Sequence, residues 1–164
     1  MLNENMQKQF NDQLAIEFHS FYIYLGMSAW ASSQSLHGMA SWLSVQAKEE
    51  LSHAMKIYNY ILERDGEIQL KDLKRPEQNF SDPKALFAKV LEHEQFVTSS
   101  IYSLAASAQK ENDFASSVFL QWFITEQVEE ESNVRSVVEM LNRVETQQGL
   151  LYLDGKLVKR MAEK

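Results

Sequence analysis

The sequence has no cysteine and only 2 prolines and 5 glycines. The lack of cysteine excludes a disulfide, a thiolate zinc site, an iron–sulfur cluster and a cysteine nucleophile. So few breakers in 164 residues favour long helices and argue against an all-β chain. No apolar run approaches a membrane span. Met1 to Phe10 lacks the apolar core of a signal peptide, so a cytoplasmic location is expected. Positive charge is not in excess either. The formal net charge of −7 argues against nucleic acid or an anionic membrane as a partner. Apolar side chains are plentiful, at 45% of residues against 24% charged. That suffices for one globular domain over residues 1–164.

Apolar residues recur at spacings of three and four, which places them on single helical faces. The pattern predicts helices over about 5–32, 37–64, 82–110, 113–144 and 150–162. Asp82-Pro83 is a cap followed by proline at the first helical position. Asp65-Gly66 reads as a C-terminal stop, and Gln147-Gln148-Gly149 reads as a break before the fifth helix. Two connections are short, so helices one and two are antiparallel neighbours, as are three and four. The middle connection, about residues 67–81, is unusually long. About sixteen extended residues reach about 53 Å, and a helix of about 28 residues is about 42 Å long. The connection can therefore cross the whole bundle. The expected fold is all-α: a four-helix bundle with one long crossover and a short fifth C-terminal helix.

Four glutamates occupy positions where these helices should be apolar. Glu17 lies between Phe10 and Tyr24, Glu50 between Leu43 and Ile57, Glu94 between Phe87 and Ile101, and Glu130 between Phe123 and Val137. All fall near mid-helix, so antiparallel packing sets them at one level. A buried carboxylate without a partner costs several kcal/mol or takes up a proton. Four together, with His53 three residues after Glu50, call for a cation, and the pattern reads as a dinuclear metal site. Oxygen ligands with one imidazole suit iron or manganese, and zinc less specifically. Glu50 is the expected bridging ligand because it sits beside His53. A second acidic group surrounds the first: Glu126 and Glu129 on the fourth helix, and Glu49 on the second. Such a run is usually a solvated face, but Glu126 shares a face with Glu130, which allows a further metal position.

Other side chains are more ambiguous. Tyr24 is a core aromatic, a hydrogen-bonding partner of a ligand, or a catalytic residue that gives up an electron during oxygen reduction. Trp122 reads as packing, and the 7 methionines read as core filler. His19, His37 and His93 lack partners at ligand spacing and read as surface or loop residues. The fifth helix carries no proposed ligand, so it is expected to govern assembly rather than chemistry.

With these residues in view, the chain resembles the bacterial non-haem ferritins over nearly its full length. The resemblance rests on Glu17, Tyr24, the stretch Ala47-Lys48-Glu49-Glu50-Leu51-Ser52-His53, Glu94, and Gln121-Trp122-Phe123 followed by Glu126, Gln127, Glu129 and Glu130. It implies a hollow shell of twenty-four identical subunits that oxidises Fe(II) with dioxygen or hydrogen peroxide and stores ferric mineral. It further implies that Glu17, Glu50 and His53 hold one iron, and that Glu50, Glu94 and Glu130 hold a second. Glu49, Glu126, Glu129 and Glu130 would surround a third, with Gln127 bordering the centre. Haem is not expected, because Leu51 and Ser52 follow the bridging glutamate where haem-binding relatives place a methionine. Two other readings of the same residues are a di-iron oxidase or peroxidase that forms no shell and a metal-free helical interaction module.

Overall fold

In the computed structural model, which describes residues 1–158, helices α1 (Glu4–Ser33), α2 (His37–Glu63), α3 (Pro83–Lys110), α4 (Phe114–Asn142) and α5 (Gln147–Leu157) follow one another with no strand among the described residues. The part of the expected fifth helix that includes Met161 lies outside the described residues. Side chains start most helices. Asn3, Asp82, Asp113 and Thr146 accept from the backbone N–H of Met6, Ala85, Ser116 and Gly149, satisfying donors that the first turn leaves free. The Thr146 cap makes Gln147 to Gly149 the first turn of α5 rather than the break that their composition suggests. α2 stops just before Asp65-Gly66. Asp65, with φ of 55°, takes the left-handed conformation, not Gly66. Gly66 is needed for closeness instead, since an added Cβ would lie 2.9 Å from Ile61 Cγ2.

The crossover, residues 64 to 82, runs along α1. Near its start, Asn11 donates to the Glu67 carbonyl and accepts from the Gln69 N–H, while Gln7 accepts from the Glu67 N–H. Farther on, Pro76 packs against Gly26, and Phe80 meets Trp30 edge-on at 5.5 Å. The chain therefore begins α3 at the end of the bundle where α1 finishes. α1 packs on α2 and α3, and α4 packs on α3. The bundle with one long crossover is the architecture that the periodicity predicts.

The core is split. One apolar cluster includes Tyr24, Trp42, Leu43, Phe87, Val90, Val137 and Leu141. The other includes Phe10, Leu14, Ile57, Ile61, Val97, Ile101 and Phe123. Between them on the four long helices lie Glu17, then Glu50 with His53, then Glu94, then Gln127 with Glu130, all buried. Each large apolar side chain contributes about 1.5–3 kcal/mol on burial, so the two clusters can sustain a polar layer that is itself costly.

α5 belongs to this scaffold. Leu153 and Leu157 enter the first cluster. Leu36, the residue before α2, offers no side-chain cap. Asp154 supplies one from α5, accepting from Gly38 N at 3.0 Å and Met39 N at 2.8 Å. An anion at a helix N-terminus also meets the positive end of its dipole. The approach is so close that a Cβ on Gly38 would lie 1.8 Å from the Asp154 carbonyl oxygen. Thermal unfolding can compare three variants. Gly38→Ala should be strongly destabilised, because backbone must move. Asp154→Ala should lose about 0.5–2 kcal/mol as a lost cap. Gly155→Ala, which meets nothing within 4 Å, should be neutral or gain up to about 1 kcal/mol in helix propensity. Equal losses in all three would refute this account of α5.

Candidate metal centre

The polar layer is built from one stripe of each long helix. On α1, Gln13 and Glu17 stand one turn apart, and Gln13 Nε2 donates to Glu17 Oε1 at 2.7 Å. On α2, Gln46 Nε2 reaches across the bundle to Glu130 Oε2 at 2.7 Å. Tyr24 Oη donates to Glu94 Oε1. The other Glu94 oxygen lies 3.2 Å from Gln127 Nε2, which also lies 3.3 Å from Thr98 Oγ1. Glu50 differs from the rest: no N–H or hydroxyl donates to either of its oxygens or to Glu17 Oε2, and these two carboxyls meet only each other. His53 Nδ1 sits 3.7 Å from Glu50 Oε2, too far for a hydrogen bond. Trp122 and Phe123 hold the imidazole edge-on at 5.4 and 6.0 Å.

One donor atom each from Glu17, Glu50 and His53 lie within 4.8 Å of one another, and all three residues are buried. Among the described residues no other group of three acids, histidines or cysteines converges in this way. The electrostatics carry the same message. Burial, then the Glu50 charge, pushes the Glu17 carboxyl up to about 8. Burial, then the Glu94 charge, raises Glu50 well above the ordinary carboxyl range, and Glu130 and Glu49 add to this. Glu94 is raised by burial, against the opposing hydrogen bonds from Tyr24 and Gln127. Glu130 rises to about 7, chiefly through burial and then Glu94. Acids in this state either hold protons or bind a cation, and the oxygens of Glu17 and Glu50 that no donor reaches fit a metal ion.

The structure thus brings Glu17, Glu50 and His53 into one cluster and sets Glu94 and Glu130 in electrostatic reach of Glu50. Glu49 is half-buried, and its charge acts on Glu50 and Glu130. Glu126 is half-buried and Glu129 is exposed, and neither joins a converging group among the described residues. Tyr24 is a fully buried ring with its hydroxyl on Glu94. Trp122 packs on His53 yet stays 39% exposed, with Lys56 Nζ 4.2 Å above its ring.

Two histidine expectations need correction. His37 is exposed, but His19 and His93 are half-buried between α1 and α3. His93 Nε2 lies 2.8 Å from Ser20 Oγ, and burial pushes its imidazole down to about 4. The rotation of about 100° per residue that turns His93 away from Glu94 aims it at α1 rather than at solvent. Gln13 and Gln46 escaped sequence reasoning altogether. A signal existed, since each stands four residues before a stripe glutamate, Glu17 or Glu50.

Comparison with known proteins agrees with this architecture. Residues 7–144 match the Ferritin family, described as a ferritin-like domain. A bacterial non-heme ferritin of Campylobacter jejuni is 36% identical over 99% of this chain and 97% of its own length. One from Staphylococcus aureus is 37% identical over 95% and 94%. Among solved structures, an open pore ferritin from the hyperthermophilic archaeon Archaeoglobus fulgidus superposes with a TM-score of 0.95. It is 40% identical and covers 96% of this chain and 98% of that one.

The raised Glu17 carboxyl has a consequence for stability. Its ordinary value is 4.5 and its folded value is about 8. Between those pH values the folded chain keeps a proton that the unfolded chain releases, so stability falls as pH rises through that window. Glutamine cannot ionise. In the metal-free protein, Glu17→Gln should therefore match the parent near the bottom of the window and become progressively more stable than it toward pH 8. Denaturant unfolding across that range checks the trend, and a stability difference that does not change with pH would contradict it.

Proposed function

The chain belongs to the ferritin family, and on that basis we propose that it stores iron, oxidising Fe(II) at the buried acid layer and retaining the ferric product. The observation that carries this reading is Glu50, a fully buried carboxylate that no N–H or hydroxyl donor reaches, gathered with Glu17 and His53 and acted on by the charges of Glu94 and Glu130. Fe(II) is the substrate. Glu17, Glu50 and His53 take one ion, and Glu50, Glu94 and Glu130 take a second. Gln13, Gln46, Gln127 and Tyr24 orient the carboxylates by hydrogen bonds to them, as outer partners of metal ligands generally do. Cations displace the protons that Glu17 and Glu130 hold near neutral pH. Two Fe(II) ions then give one electron each to a single oxidant molecule. Dioxygen takes both electrons with two protons and leaves as hydrogen peroxide. If peroxide is the oxidant, it takes both electrons and two protons and leaves as water.

Glu49, Glu126 and Glu129, with Glu130, form a more open position for a third iron. Their partial exposure suits transit of ferric ions out of the layer rather than the first oxidation step. Identical subunits, twenty-four by the family resemblance, would enclose the mineral. The expected setting is the cytoplasm, with no haem. At 19.0 kDa per chain, such a shell weighs about 456 kDa. An anaerobic Fe(II) titration followed by an oxygen pulse, with absorbance and sedimentation recorded together, tests the proposal. Rapid ferric absorbance in a particle near that mass is the expected result. Rapid oxidation in a particle of tens of kDa would favour the oxidase that forms no shell, and no rapid phase would overturn the enzymatic reading.

Two variants divide the acid set. Glu50→Ala removes the ligand shared by both ions, so its fast oxidation phase should fall by more than about 100-fold, beyond the usual loss from removing an outer partner. Its helical content should persist, because a repulsive buried acid has been removed. Glu129→Ala should keep the fast phase within about threefold, as expected for an exposed residue outside the first oxidation step, and alter the later phases. Stopped-flow absorbance decides both. Parent-like kinetics in Glu50→Ala, or loss of the fast phase in Glu129→Ala, would reverse the assignment.

A further inference from the structure

A separate cleft of about 450 Å³ lies between α1, α3 and the crossover, on the flank of α1 that carries His19. We propose that this cleft is a binding site for a small aromatic anion, a flat apolar ring bearing a phosphate or carboxylate. The proposal does not depend on iron oxidation.

Four observations support it. The first is volume, which falls within the range of about 300–1,000 Å³ typical of small-molecule sites and exceeds what a lone inorganic ion would fill. The second is His19. Its ring forms part of the cleft wall, and its Nε2 atom, buried within that wall, has no hydrogen-bond partner. The third is charge. Lys74 and Arg75 line the cleft from the crossover, and neither forms an ion pair among the described residues. Of the two acids that face the cleft, Glu92 pairs with Lys89 at 2.8 Å, which leaves Glu77 against both Lys74 and Arg75. On a chain of net charge −7, this is a local excess of positive charge. The fourth is the wall. Phe96 is 55% exposed at the cleft, with the His93 ring tilted beside it at 6.3 Å.

Each feature rules out a simpler occupant. A cation would meet Lys74 and Arg75. A neutral hydrocarbon would leave Lys74 and Arg75 without a counter-charge. An inorganic oxoanion would leave the Phe96 face uncovered. A ring with one anionic substituent satisfies all three, stacking on Phe96 while its oxygens meet Arg75 and Lys74. The site is also preformed, because Pro76 is held against Gly26, where an added Cβ would come within 3.1 Å of the proline ring. A pre-organised crossover lowers the ordering cost of binding.

Calorimetry on the assembled protein tests this with three probes: phenyl phosphate, inorganic phosphate and benzyl alcohol. Phenyl phosphate should bind with Kd of about 1 mM or tighter and at least about tenfold better than either other probe. Its affinity should fall about tenfold in a Lys74→Gln, Arg75→Gln double variant and again in Phe96→Ser. These exposed positions can be changed without touching the core. Three results would overturn the proposal: no heat from phenyl phosphate, equal binding of inorganic phosphate (a diffuse counter-ion effect), or equal binding of benzyl alcohol (an apolar cleft only). Unchanged affinity in both variants would place the bound molecule elsewhere and equally refute it.

Discussion

Mutual repulsion among buried carboxyls at one level of the bundle is the constraint around which the rest of the structure is arranged. Glu17, Glu50, Glu94 and Glu130 are each at most 1% exposed, and no arginine or lysine is hydrogen-bonded or ion-paired to any of them among the described residues. Neutral donors supply what relief there is: two glutamine side chains, a third glutamine at longer range, and a tyrosine hydroxyl. Such a layer survives only where packing above and below is strong, and the core accordingly divides into two aromatic-rich clusters with the acids between them. A permanent salt-bridge partner would stabilise the layer, but it would also compete with any arriving cation.

Much of this was legible in the sequence, for identifiable reasons. Apolar spacing defines a helical face whatever the partner helix, so an acid on that face is conspicuous from one strip of residues. Glu17, Glu50, Glu94 and Glu130 were found in that way. The length of the crossover fixed the topology because geometry permits few alternatives for a long connection. What escaped reading depends on contacts between distant segments. Gln46 stabilises Glu130 on another helix, although it stands one turn from Glu50. His19 and His93 looked like surface residues because a single helix does not reveal that the crossover and a neighbouring helix cover its flank. The Gln147 to Gly149 stretch shows the limit of composition, since one hydrogen bond from Gly149 N to Thr146 Oγ1 makes a turn of helix from residues that suggest a break.

The crossover serves two purposes that pull in the same direction. Asn11 and Gln7 bind its beginning to α1 through backbone groups, and Gly26 admits Pro76 near its end. These contacts keep an otherwise irregular strap flat against the bundle. The same flatness leaves Lys74 and Arg75 beside the cleft between α1 and α3. Topology and a local reversal of charge thus arise from one segment.

The bond between Asp154 and the start of α2 also orders events during synthesis. The groups it joins are separated by 116 residues of chain. While a ribosome is still making the crossover, α3 and α4, the first turn of α2 has exposed amide donors and no side chain to receive them. Only when nearly all of the described chain has emerged does the cap arrive. α2 carries Glu50 and His53, so the residue that caps this helix is made only after the other acid-bearing helices have been synthesised.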